Sequence, residues 1–460
     1  MLRRLFSYMK QYTIYAYLAM FCVMVECVFE LVIPLIMADM VDVGVANGDR
    51  AYIFEKGGLM VFCALLSLLL GMGSAKFSAI CGQGMGANLR EAEYRKLQSF
   101  SFSNIDRFRI SSLITRLTSD VTVIQNSVST GIRPVCRAPV MMVMAVGASF
   151  VIDRKLAVIF LVALPALGIM LFGIVSRVRP LYTRMQTAID LVNRIVQENL
   201  TAIRVVKAYV REDYEKAKFA EANGNLQGQS ERAFRLSALN MPAMQLVMYS
   251  TILAILWFGG GRVGVGDLQV GELTGFLSYV LQVLNSLMMI SNVFMMLTRS
   301  MASGRRILEV MDESVEITDE GARPVRVERG DIRFEHVYFK YRTNAEEYVL
   351  SDINLDIKAG QTVGIIGQTG AAKTTLVSLI PRLYQASRGC VYVDGVPVQD
   401  YPLVHLRDAV AMVLQKNTLF SGTVRDNLRW GKEDAAQEEI EEACRIACAD
   451  EFIGRLENGY

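Results

Sequence analysis

Six stretches of this chain, at about residues 15–37, 57–75, 138–153, 156–176, 241–260 and 271–298, are long and apolar enough to cross a bilayer. A hydrocarbon core about 30 Å thick needs roughly 20 residues of helix. The apolar residues form continuous runs in the first 300 positions, and this pattern predicts a six-helix membrane bundle. The third stretch is the shortest, because Arg137 and Asp153 bound it. Its helix is expected to begin near Val121 and to extend below the membrane.

Charge sets the expected orientation. Lys plus Arg number 2 in 38–56, 9 in 76–137, 2 in 154–155, 11 in 177–235 and 1 in 261–270. Positive charge marks the cytoplasmic side, so both chain ends and the two long basic segments are expected inside and the three short loops outside. The protein is therefore expected in the cytoplasmic membrane, multi-pass and in contact with lipid. Arg3 and Arg4 precede apolar sequence, as in a signal peptide, but the run continues to about Met37 without a small-residue cleavage site. Leu2, Leu5, Phe6 and Met9 fall on one helical face, which predicts a short amphipathic helix on the membrane surface.

A net charge of +2 argues against a nucleic-acid partner, which needs a clustered basic face. The eight cysteines are scattered, and Cys22, Cys27 and Cys63 lie inside apolar runs as small hydrophobes. Cys444 and Cys448 are spaced i, i+4 with no His or Cys partner nearby, and they read as helix-surface residues in place of a metal site.

Ionisable residues within a span are functional candidates. Glu26 and Glu30 lie one turn apart on the first span. Two readings stand: contact with a cationic substrate or gate, and a pair satisfied by neighbouring helices. On the sixth span Ser278, Gln282, Asn285 and Asn292 share one stripe, with Met288, Met289, Met295 and Met296 around it. Flexible thioethers suit a surface that accepts varied apolar ligands. Plain span packing is the competing reading.

The two inner segments are too long for simple connections. Residues 104–121 (NIDRFRISSLITRLTSDV) and 198–212 (ENLTAIRVVKAYVRE) mix apolar and basic residues as helices that dock on another protein surface. The ITRLTSDV and IRVVKAYVRE stretches resemble the two intracellular loops of the ATP-binding cassette exporters, and the resemblance covers nearly the whole chain. It implies that each loop carries a coupling helix against a nucleotide-binding domain.

Between Met311 and Gly330 the sequence turns acidic and polar. Strand-like runs follow at 332–341, 349–357, 362–366, 389–393 and 409–415. The run 362–366 leads into GQTGAAKTT and then a helical pattern. Strand, glycine-rich turn, Lys-Thr and helix make a phosphate-binding loop: backbone N–H groups around Gly367 and Gly370 face phosphate oxygens, Lys373 reaches the β- and γ-phosphates, and Thr374, followed by Thr375, offers a hydroxyl to Mg²⁺. Ala372 departs from the usual motif, which has Gly before the Lys, and a Cβ there resists crowded or left-handed backbone.

The resemblance implies further roles. Tyr341, ending VYFKY, resembles the adenine-stacking aromatic, and Gln415, opening QKNTLFSGTV, resembles the glutamine loop that completes the Mg²⁺ environment. No LSGGQ-type signature and no strand ending in Asp-Glu follow, and the two histidines, His336 and His405, stand too early for the family's catalytic one. No catalytic residue beyond Gln415 is therefore assigned. The chain is expected to be C-terminally truncated and inactive alone.

The expectation is an all-α six-helix transmembrane bundle over residues 1–310, a linker at 311–330, and a partial α/β nucleotide-binding domain over 331–460. The implied function is ATP- and Mg²⁺-dependent export of small amphipathic or drug-like compounds, as half of a dimer. A second half-transporter is the implied partner, a heterodimer being favoured and a homodimer possible. A degenerate non-catalytic partner subunit and a lipid or peptide exporter are the alternatives.

Overall fold

The structure is a computed structural model, and it describes residues 1–342, 345–414 and 417–460. Two compact units divide it: one of Met1–Ser99 with Arg107–Ser314, the other of Phe100–Asp106 with Val315–Tyr460.

Among the described residues the first unit contains six long helices, each apolar enough to cross a membrane: α1 Leu2–Val45, α2 Arg50–Gln98, α3 Ile110–Ile152, α4 Arg154–Thr201, α5 Glu212–Val265 and α6 Val270–Asp312. The short connections carry their own start and stop signals. Asp49 accepts from the amides of Ala51 and Tyr52 to cap α2, and Asp153 accepts from Leu156 to cap α4. Gly266 ends α5 at φ +84°, where a left-handed residue closes the last turn, and Gln269 with Glu272 forms a capping box on α6.

Small residues let the long helices approach. Gly71, Ser74, Ser78, Gly82 and Gly86 form a buried face on α2. A Cβ at Gly82 would lie 2.0 Å from Ser129 Oγ and 2.7 Å from the Ser129 amide, and one at Gly86 would lie 2.4 Å from Gln125 Oε1. Helices in lipid gain little from apolar surface alone and pack through such close contacts. One core joins Cys27, Leu31, Ala145, Phe160, Ile255, Phe276 and Tyr279, and a second joins Leu5, Met9, Met85, Val121 and Ile307. The N-terminal helix thus turns Leu5 and Met9 into protein and leaves Leu2 and Phe6 exposed. The third span does begin its regular helix at Val121, and it continues a helical path from Ile110.

In the second unit, β1 (Ile332–Phe339), β2 (Leu350–Ile357), β3 (Arg388–Val393) and β4 (Val396–Pro397) pair antiparallel in the order β2-β1-β3-β4. Phe334, Val337, Leu379, Val391, Tyr401 and Leu406 fill its core. Asp394 accepts the amides of Glu328, Arg329, Gly330 and Asp331 at 2.7–3.0 Å and so fastens the incoming chain to the β3–β4 turn. Phe102 and Asp106 belong to this unit, where the Tyr384 hydroxyl donates to Asp106 at 2.6 Å.

Two expected strands are absent among the described residues. Residues 362–366 and 409–414 pair with no strand, and Ile366 and Val413 are 100% and 90% exposed. Such continuous apolar runs suit strands covered on both faces, and no neighbour flanks them here. The strand expected to reach Tyr341 stops at Phe339.

Candidate functional site

The candidate phosphate loop, residues 367–375, leads into a short helix, α7 (Lys373–Ser378). Gly370 has φ +90°, a conformation glycine adopts freely. Ala372 stands at φ 58°, ψ 22°, the left-handed region, and its methyl packs on the core of the second unit. The residue that departs from the expected motif therefore takes the backbone conformation for which glycine is suited. Lys373 Nζ donates to the carbonyls of Gly367 and Gln368, both at 2.8 Å, folding its ammonium across the loop. Thr374 is exposed beside it, while Thr375 is buried and its Oγ1 lies 2.7 Å from the Tyr341 hydroxyl.

Tyr341 is half exposed and meets Phe339 and Tyr384 edge to face, with centroids 4.9 and 5.3 Å away. The structure thus brings together Tyr341, Gly367, Gly370, Ala372, Lys373, Thr374 and Thr375. Gln415 lies outside the described residues. Burial lifts the Tyr384 hydroxyl above the ordinary tyrosine range, and its bond to Asp106 adds to the rise, so it stays a donor at neutral pH.

In the membrane unit the two acidic residues of the first span are already partnered. Glu26, 4% exposed, takes hydrogen bonds from Arg133 and Arg137 at 2.9 Å each, and Glu30 takes one from Arg137 at 2.6 Å. Two carboxylates and two guanidiniums from α1 and α3 balance one another. This is the helix-pairing reading of Glu26 and Glu30. Neither carboxylate stands free of a cation, so a cationic ligand at this point would have to compete with Arg133 and Arg137. Sequence spacing within α3 places Arg133 and Arg137 one turn apart, which matches the spacing of Glu26 and Glu30.

The polar stripe of α6 divides. Ser278 bonds the Thr274 carbonyl, Gln282 keeps a buried Oε1 without a partner, and Asn285 and Asn292 are exposed. Asn285 and Met288 line a cavity of about 180 Å³ together with Leu167 from α4 and Met241, Met244, Gln245 and Met248 from α5. Met296 packs on Gly131 of α3 instead. The α5 contribution was missed in the sequence, although Met241, Met244, Gln245 and Met248 recur at i, i+3, i+4, i+7, the signal of one helical face.

Cys444 is buried on α8 (Gln437–Ile446), and Cys448 lies past its end, so the expected pair on one helix surface does not form. No group of three or more His, Cys, Asp or Glu residues able to hold a metal occurs among the described residues.

Comparison with known proteins agrees with these two parts in order. Residues 16–287 match the ABC transporter transmembrane region, and residues 350–458 match the ABC transporter family. The chain is 36% identical over its full length to 80% of the uncharacterized ABC transporter ATP-binding protein YfiB of Bacillus subtilis. It is 36% identical over 94% of its length to 75% of the ABC transporter ATP-binding protein MT1311 of Mycobacterium tuberculosis. An ATP-dependent lipid A-core flippase of Chromobacterium violaceum is 31% identical over 99% of this chain and 78% of its own. These matches, with the bundle of six helices long and apolar enough to cross a membrane among the described residues and the nucleotide-binding domain that follows it, make this chain a member of the ABC transporter family, of the exporter half-transporter type.

Proposed function

We propose that this chain binds ATP with Mg²⁺ at residues 367–375 and serves as one half of a dimeric exporter of small amphipathic compounds. The observation that carries the reading is the Lys373 ammonium held over the loop by the Gly367 and Gln368 carbonyls, beside the exposed Thr374 hydroxyl. A cation held at a glycine-containing turn before a helix suits a polyphosphate. The Lys373 ammonium would exchange two carbonyls for phosphate oxygens, Thr374 would offer its hydroxyl to the metal, and Tyr341 would present its face to the base. Bound ATP supplies the free energy that favours one state of the membrane helices over another, and only differential affinity for the two states can do so.

The cavity lined by Met241, Met244, Met248 and Met288 with two amides, Gln245 and Asn285, supports an apolar or amphipathic ligand. The short helix Ile203–Ala208 between α4 and α5 buries none of its residues. Val205, Tyr209 and Val210 stand exposed there, which suits a docking surface for a partner half, with a heterodimer favoured over a homodimer. The basic inner segments support a cytoplasmic position for both chain ends.

Binding of a fluorescent ATP analogue tests the first claim. Lys373→Ala is expected to lose the binding that the parent shows, and equal binding by both refutes the assignment. A lipid cargo is the second reading, favoured by the likeness to flippases named for lipid A-core. Competition for the cavity between a labelled neutral drug-like compound and a lipid separates the two.

A further inference from the structure

The buried carboxylate of Glu93 takes no part in anything described above. The apolar stretch of α2 ends near Ala75, and Glu93 lies 18 residues further on. That is about 27 Å at a rise of 1.5 Å per residue, beyond the membrane-spanning stretch. Glu93 is 0% exposed, and neither Oε1 nor Oε2 has a hydrogen-bond partner. An ionised carboxylate left unpaired in such a place is costly, and the group instead keeps its proton or finds a cation.

Residues 116–120 pack against α2, and the Arg116 cation among them, which acts on Glu93 through its charge, is incompletely used. Arg116 on α3 is buried, donates to the Arg306 carbonyl at 2.8 Å and meets Glu309 at 2.9 Å, both on α6, and lies over the Phe108 ring. Its Nε–H is buried and has no acceptor. The other charged groups around this point are occupied. Asp120 on α3 is held by Arg306, which also bonds Ser303, and Arg90 on α2 bonds Thr122 and Gln125. One buried region thus holds a carboxyl without a donor and a guanidinium N–H without an acceptor. Burial pushes the Glu93 carboxyl up to about 7, with Arg116 opposing the rise and Asp120 adding to it.

We propose that Glu93 is a proton-binding site that governs a tie between α2 and α6 through Arg116. With the proton bound, Arg116 keeps its two hydrogen-bonding partners on α6 and its place over the Phe108 ring. When the proton leaves to water, the carboxylate takes the Arg116 Nε–H while the two Nη atoms keep their α6 partners. Arg116 stays cationic throughout, and no covalent bond other than the O–H bond is broken. The result is one guanidinium bridging α2, α3 and α6, and thus a link between cytoplasmic pH and the relative freedom of these helices.

The test uses the full chain in lipid nanodiscs. Infrared difference spectra between pH 5.5 and 8.5 are expected to show one protonated carboxyl band lost with a midpoint near 7 in the parent and absent from Glu93→Gln. Hydrogen exchange over residues 90–98, corrected for intrinsic rates, is expected to slow several-fold from pH 6 to pH 8 in the parent and to stay constant in Glu93→Gln. Glu93→Leu, of similar bulk and suited to a buried site, serves as the control should the glutamine variant fold poorly. A parent without the carboxyl band overturns the proton site. A band with unchanged exchange overturns the tie.

Discussion

Replacing Ala372 tests whether the unusual phosphate loop is an obstacle or a tolerated variation. Ala372 occupies the left-handed region at φ 58°, which costs an L-residue roughly 1–2 kcal/mol. Glycine removes that cost but loses roughly 0.5–1 kcal/mol more chain entropy on folding. It also gives up the packing of a partly buried methyl, about 0.4 kcal/mol at half the value of a buried CH₂. The three contributions nearly cancel. Because the methyl turns into the core of the second unit and away from the exposed loop, Ala372→Gly is expected to change stability by less than about 1 kcal/mol and nucleotide affinity by less than about fivefold. Ala372→Val places a β-branched residue in the same region, at a further cost of about 2 kcal/mol, and is expected to weaken binding more than about tenfold. Equilibrium binding of a fluorescent ATP analogue to the three proteins, with thermal unfolding in parallel, measures both effects. A gain of about fiftyfold or more in Ala372→Gly would refute the reasoning, since the methyl would then be blocking phosphate, and it would support the degenerate-partner reading.

Other consequences follow from the same geometry. Arg137→Gln removes the only described partner of Glu30 and one of the two of Glu26; breaking a buried ion pair costs about 3–5 kcal/mol, so a marked fall in detergent thermal stability is expected, recovered in part when Glu30→Gln is added. Asp394→Asn keeps a residue tolerant of its φ of 48° but removes the charge that four amides share; hydrogen exchange at residues 328–331 is expected to quicken about tenfold or more, matching a loss near 1.4 kcal/mol. Burial alone would raise the Asp394 carboxyl, but those four amides outweigh it and hold it below its usual range; its stabilisation is therefore present above the ordinary aspartate pKa and lost as pH falls through the depressed value, and the protection of these amides checks the direction. Tyr341→Phe frees the Thr375 hydroxyl from its 2.7 Å contact while keeping the ring, so analogue binding is expected to persist, whereas Tyr341→Ala is expected to weaken it by about 1–2 kcal/mol of lost stacking.

The six spans were legible because lipid imposes the same demand on each helix separately: length and apolarity suffice, whatever the neighbours are. The polar contents of the bundle were less so. Glu26 and Glu30 share a face in any helix, but whether that face meets substrate or Arg133 and Arg137 depends on how α1 is rotated against α3. The stripe through Asn285 was visible on α6 alone. Its cavity required Met241, Gln245 and Met248, and these come from a helix whose placement no local pattern specifies.

The nucleotide half shows the converse dependence. Strands β1 and β2 formed where sequence placed them as antiparallel neighbours close along the chain, and β3, about fifty residues beyond β1, pairs with the other edge of β1. The runs at 362–366 and 409–414 are apolar on successive positions, so each needs cover on two faces and a strand on each side, and their burial is decided by elements far from them in sequence. The phosphate loop survives this difference. Its conformation rests mainly on local features, namely positive φ at Gly370 and Ala372 and the Lys373 bonds to two loop carbonyls, with one longer-range contact from Thr375 to Tyr341. Hence variants inside the loop are expected to act on nucleotide affinity, while variants at Val363, Ile365 or Val413, all exposed, are expected to act only in assemblies or longer chains that cover those faces. An affinity loss in Val413→Ser equal to that in Lys373→Ala would contradict this division.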